Sequence, residues 1–115
     1  MKSQFSLKVV EEYLRLSNEG KLEIIEGLLD GSISYHSSAV GAFEDKDNVM
    51  QMMRAFFEKF HQPQWSWESL DWLEDEDCVA FRFKMTATGL DGERNGLEKI
   101  WVNDSGKIIK VVVEV

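Results

Sequence analysis

Tyr13, His36, Ser37 and Glu98 are the side chains of this sequence whose types and settings suit chemistry on a small molecule. Within Gly96–Val102, alternation puts Glu98, Ile100 and Val102 on one strand face and Leu97, Lys99 and Trp101 on the other. A carboxyl turned into an apolar interior is costly unless hydrogen-bonded, paired or protonated, so an inward Glu98 marks a site rather than a packing position. Desolvation would raise its pKa and keep it as a neutral hydrogen-bond donor. Each face of the strand carries one charge, so alternation alone leaves both orientations open. Tyr13 sits on a mostly apolar helix face, where a buried phenol needs a polar partner. Histidine is the residue type best suited to act as a base at neutral pH, although for His36 a structural or interface role is the plainer reading. Period two sends it to the face opposite Ser37, so both enter one pocket only through a bulge. Ser37 lacks a Gly-x-Ser-x-Gly elbow and reads as a strand-end hydroxyl.

The elements that must position these groups follow from the hydrophobic rhythm. Leu7, Val10 and Leu14, with Val9, Tyr13 and Leu16, make a helical stripe over about residues 5–18. Asn18-Glu19-Gly20 forms a tight joint, and Leu22, Ile25, Leu28 and Leu29 predict a second helix ending at Asp30-Gly31. Residues 32–38 alternate as a short strand around Ile33 and Tyr35. Val49, Met52, Met53, Phe56, Phe57 and Phe60 then repeat at helical spacing, with Asp45 or Asp47 available as N-cap. After Pro63, the only proline, the period changes to two. Strands are predicted over residues 64–73, 78–88, 96–102 and 108–115, joined by short turns that favour an antiparallel meander. The sum is one α+β domain over residues 1–115, with N-terminal helices packed against a strongly curved, mainly antiparallel sheet.

Size and charge narrow the function. A chain of 115 residues with 43% hydrophobic content closes a single core, so a binding site lies within that core or between subunits. Net charge is −8, from 21 acidic against 13 basic residues, which argues against nucleic acid. No segment approaches the roughly 18 apolar residues of a membrane span, and a soluble, cytoplasmic protein is expected. Cys78 is the single cysteine, and His36 and His61 match no metal-ligand spacing, so no cofactor or metal is expected. Ser37, Met53, Phe56, Phe57, Phe60, Phe81, Phe83 and Met85 are candidate pocket-lining residues, suited to a flat apolar ligand. Trp65, Trp67 and Trp101 are candidates for an outer sheet face that pairs two copies as a homodimer.

The run Val9–Leu22, the strand Ile33-Ser34-Tyr35-His36-Ser37, the Gly41-to-Phe60 segment and the terminal Gly-Lys-Ile-Ile-Lys-Val strand together resemble the ketosteroid-isomerase-like, SnoaL-like branch of the nuclear transport factor 2-like (NTF2-like) superfamily. The resemblance implies a cone-shaped fold enclosing an apolar cavity open at one end. In such isomerases a first-helix tyrosine and a neutral carboxylic acid on a late strand form an oxyanion hole, while an aspartate moves the proton. Counting along this chain, the first two positions fall on Tyr13 and Glu98. The aspartate position falls on Ser37, whose hydroxyl cannot serve as a general base, and leaves His36 as the nearest substitute. The implied function is binding of a small apolar molecule with a polar handle, with metal-independent isomerase-, hydrolase- or hydratase-like acid–base chemistry as its catalytic form. The alternative is a non-catalytic oligomerisation or protein-interaction module using the tryptophan-rich sheet.

Overall fold

The computed structural model describes residues 2–115. Helix α1 (Lys2–Glu19) buries Val10, Tyr13, Leu14 and Ser17 along one stripe. It ends where Gly20 takes φ +70° and the N–H of Lys21 bonds the Leu16 carbonyl at 3.0 Å, a closure that glycine makes without strain. Helix α2 (Leu22–Glu26) is shorter than its pattern predicts. The Leu28 carbonyl accepts from the N–H of Ile108 at 2.8 Å and Leu29 pairs with Ile108, so tertiary pairing draws the last turn of the expected helix into a strand. That strand, β1 (Leu29–Ser37), therefore runs through Asp30-Gly31 instead of starting after it.

Strand β2 (Gly41–Glu44), absent from the sequence reading, folds back on β1 and delivers the chain to α3 (Lys46–Lys59). Asp45 caps α3 by accepting the Asn48 N–H at 3.0 Å. The segment after α3 divides into β3 (His61–Trp67) and β4 (Asp71–Leu73), both paired with β5 (Cys78–Thr88). Pro63 lies inside β3 rather than before it. This is an edge strand, and Pro63 falls in the register irregularity between His61 and Gln64, where no ladder donor is required. Strands β6 (Arg94–Val102) and β7 (Ile108–Glu114) complete the sheet.

Strand order is β2-β1-β7-β6-β5-β3, with β4 beside the start of β5. All neighbours are antiparallel except β1 and β7, so the expected meander becomes a mixed, curved and unclosed sheet with β1 inserted beside the C-terminal strand. The helices cover its inner face, and the core between them includes Val10, Leu14, Ile33, Val49, Phe81 and Ile100. Among the described residues no helix is long and apolar enough to cross a membrane.

Candidate functional site

The helices leave one side of the inner face unfilled, as a cavity of about 80 Å³ that is partly open to solvent. That is more space than a single water needs. Its walls are apolar by construction: Met52, Met53, Phe56 and Phe57 project from α3, Phe83 and Met85 from β5, and Trp65 from β3. Trp65 stacks on Phe56 with ring centroids 6.1 Å apart. The rim includes Ala39, Val40 and Arg94. A larger, shallower groove of about 840 Å³ crosses the opposite sheet face, with a mixed lining in which Arg82, Lys84 and Lys99 stand beside Trp67, Leu73 and Leu97.

Pairing across the sheet fixes which polar groups share the cavity. Glu98 stands between Phe81 of β5 and Val113 of β7, and Val113 pairs in turn with Ser37 of β1. Glu98 and Ser37 are thus two strands apart in one transverse row, with Cα atoms roughly 10 Å apart at about 4.8 Å per strand. Tyr35 precedes Ser37 by two residues and shares its face, in the row of Val111 and Ile100. Tyr13 enters from α1 and Ser17 one turn later; the Ser17 hydroxyl donates to the Tyr13 carbonyl at 2.8 Å.

Glu98 is 5% exposed and faces apolar neighbours. Burial pushes its carboxyl up to about 8. Burial also raises the phenols of Tyr13 and Tyr35, and the Glu98 charge raises both further. No ion pair or side-chain hydrogen bond among the described residues uses the Glu98 carboxyl or either tyrosine hydroxyl. Yet the Ser6 hydroxyl is the one fully enclosed side-chain polar atom there without a partner. The three acids therefore keep their polar ends at the open space of the cavity instead of sealed in protein. Tyr13 and Glu98 do not bond each other; they look onto a common volume.

Several expected placements need correction. His36 points away from the cavity: it lies on the other face of β1, half-exposed, with Nε2 3.3 Å from Glu44. Ordinary alternation persists through His36 and Ser37, with no bulge to turn both inward. Ser37 lines the cavity, but its oxygen accepts the N–H groups of Ala39 at 3.1 Å and Val40 at 3.3 Å, which makes it a turn former. Phe60 and Phe81 are buried outside the lining: Phe60 packs on Phe56 at 5.2 Å, and Phe81 lies behind Phe83 at 6.5 Å. Trp65 and Trp67 pair with Met85 and Phe83, so both turn to the inner face and not to an outer one. Trp101 does lie on the outer face, under the Lys110 ammonium at 4.8 Å and donating to the Glu76 carbonyl.

Tyr35 and Arg94 are among the cavity residues that the sequence reading did not single out, as are Ser17, Ala39 and Val40. Tyr35 was readable from its shared parity with Ile33 and Ser37. Arg94 was not, because β6 begins two residues before the predicted strand.

The family model described as SnoaL-like domain matches residues 10–111. No curated protein matches the chain in sequence. Among solved structures, the epoxide hydrolase/cyclase-like enzyme SalBIII, described for pyran ring formation in the polyether salinomycin, superposes with TM-score 0.85 at 18% identity, over 99% of this chain and 93% of that one. A Mycobacterium tuberculosis protein in complex with estradiol-17β-hemisuccinate gives TM-score 0.82 at 14% identity, over 95% of this chain and 92% of that one. An NTF2-like protein of unknown function from Exiguobacterium sp. 255-15 gives 0.79 at 18% identity, over 91% and 95%. At these identities the likeness establishes the fold.

Proposed function

The chain belongs to the SnoaL-like domain family, and we propose that its cavity binds a small, largely apolar molecule whose carbonyl, enol or phenol oxygen sits among Tyr13, Tyr35 and Glu98. The observation that carries this reading is a buried carboxyl that faces the cavity and joins no salt bridge among the described residues. With its pKa raised by burial to about 8, Glu98 is mainly protonated at pH 7 and can donate a hydrogen bond. The two phenols are neutral there as well and offer further donors. Donors held in an apolar wall favour an oxygen that gains negative charge, whether by loss of a proton from the adjacent carbon or by attack on a carbonyl.

A dedicated proton acceptor is the missing part. Ser37 occupies the position where a base is needed, and its hydroxyl is too weakly basic. The reading is therefore binding with carbonyl polarisation, in which a water beside Ser37 or a group of the ligand takes the proton. SalBIII, an enzyme of pyran ring formation, and the relative holding estradiol-17β-hemisuccinate support it, since each joins this fold to an oxygenated carbon skeleton.

Titration with 2-naphthol, followed by quenching of Trp65 fluorescence with Trp65→Phe as signal control, tests the proposal. Saturable binding that Glu98→Leu weakens about tenfold is expected, as for loss of one hydrogen bond in an apolar site. Binding indifferent to Glu98→Leu, or no saturable binding by the wild type, would overturn it.

A further inference from the structure

Arg94 is a cation at the rim of an apolar cavity in a protein of net charge −8, and none of the salt bridges among the described residues uses it. The adjacent acid, Glu93, turns instead to Lys84 at 3.9 Å. Arg94 begins the inward-facing series of β6, which continues through Gly96 to Glu98, and it pairs across the sheet with Met85. Its guanidinium carbon stands 5.8 Å from the centroid of the Phe60 ring. The Lys59 ammonium stands 5.3 Å from the same centroid, also outside the salt bridges described. Both cations thus lie near the Phe60 ring, which is buried behind the lining, and of the two Arg94 alone lines the cavity; no salt bridge among the described residues uses either.

A positive spot of this kind is open to an anion. Guanidinium presents a planar fork that matches a carboxylate with two parallel hydrogen bonds. The strand fixes the spacing: Glu98 is four positions after Arg94, so their Cα atoms lie about 13 Å apart. Gly96 lies between them on the same face, and the Phe83 ring over it is an apolar cavity wall against which one or two fused rings could lie.

We propose that the ligand class of this cavity is an apolar carboxylic acid, with its carboxylate held by Arg94 at the rim and its carbonyl or hydroxyl oxygen at Glu98 and the tyrosines. This rests on the reading that the cavity binds an oxygenated apolar molecule. The polarity of entry follows: the uncharged oxygen end goes in first, and the carboxylate stays near water, where its desolvation is least costly.

The test compares 6-hydroxy-2-naphthoate with 2-naphthol on wild type, Arg94→Gln and Arg94→Lys at pH 7 and low ionic strength. The two probes share a ring system and a phenol; only one carries the carboxylate. In the wild type the naphthoate is expected to bind about tenfold more tightly than the naphthol, the range of one charge-assisted pair. Arg94→Gln brings the ratio of the two affinities to one or below, and Arg94→Lys leaves it intermediate, since charge remains while the fork is lost. Added salt lowers the ratio in the wild type and leaves it flat in Arg94→Gln. Saturable naphthol binding with a ratio that is the same in wild type and Arg94→Gln overturns the carboxylate inference and leaves the cavity reading standing. Failure of both probes to bind the wild type overturns both.

Discussion

Phe83 fills the space that a side chain on Gly96 would need. A Cβ at Gly96 would come within 2.7 Å of Phe83 Cζ and within 2.7 Å of the Glu114 backbone oxygen, and the backbone oxygen cannot swing aside. The two residues pair across β5 and β6 on the inner face, so the missing side chain lets the ring lie over β6 and form part of the cavity wall. Gly96→Ala should overpack this contact and cost about 1–3 kcal/mol. The measurement is the urea midpoint, expected to fall with an unchanged slope. Affinity for 2-naphthol should fall with it as Phe83 is displaced. An unchanged midpoint would show that β6 shifts freely, contrary to the pairing seen.

Glu98 ties stability to pH in a direction opposite to that of a salt-bridged carboxylate. Its pKa rises from 4.5 to about 8 on burial, so the folded chain holds a proton that the unfolded chain releases between those values. Its contribution is full below about pH 4.5, declines as pH rises at up to about 1.4 kcal/mol per pH unit, and is gone above about pH 8. Glu98→Gln has no such proton to lose. The difference in unfolding free energy between wild type and this variant should therefore shift steadily against the wild type from pH 5 to pH 8, then level off. A difference that stays constant over that range would mean that Glu98 is ionised or solvated in the folded state.

Legibility of this fold followed the range of the forces involved. The β5 strand was readable to the residue because Val79, Phe81, Phe83 and Met85 alternate without interruption between turns. Helix α3 was readable from its stripe and from Asp45, both local signals. The end of α2 was not, because Leu28 and Leu29 fit a helix equally well until β7 arrives from the far end of the chain to pair with them. Strand β2 has four residues and a single partly buried one, Phe43, too little pattern to mark it.

The site divides in the same way. Glu98 was legible as a charge breaking an apolar face, and its inward orientation required the sheet partners Phe81 and Val113 to settle. The tryptophans misled because their number suggested surplus apolar surface. Trp65 and Trp67 instead line the inner side of an edge strand, where helix α1 covers them only in part. Arg94 carried no sequence signal at all, since a single arginine next to a turn is what any soluble chain displays.

Asn18 holds that edge strand in place. Its amide nitrogen donates to the Trp65 carbonyl at 3.0 Å and its oxygen accepts the Trp65 N–H at 2.7 Å, so one side chain imitates a neighbouring strand. The Gln64 side chain closes the joint by donating to the Asn18 carbonyl at 2.8 Å. Asn18→Ala leaves two part-buried backbone groups of Trp65 unpaired and should cost about 1–3 kcal/mol. Asn18→Asp is the sharper probe, because it keeps the volume and the acceptor but sets a carboxylate oxygen against the Trp65 carbonyl. Both variants should lower the urea midpoint and loosen Trp65, read as altered fluorescence. Asp behaving as wild type would show that the amide donor contributes nothing.

Ser37 offers a way to ask what the cavity lacks. Its oxygen accepts the N–H groups of Ala39 and Val40, a role that an aspartate or asparagine side chain fills equally well, so Ser37→Asp and Ser37→Asn should both keep the turn. Only the aspartate adds a carboxylate base, in the transverse row of Glu98 and roughly 10 Å from it between Cα atoms. The probe is 3-cyclohexen-1-one, whose conversion to 2-cyclohexen-1-one removes a proton from the carbon between carbonyl and alkene and returns it to the far alkene carbon. The wild type and Ser37→Asn should show little or no turnover by enone absorbance. Ser37→Asp should gain about 10²–10⁴-fold, the usual contribution of a positioned base. Rapid isomerisation by the wild type would mean that a proton acceptor already stands in the cavity, and equal rates for the Asp and Asn variants would mean that position 37 does not reach the reacting carbon.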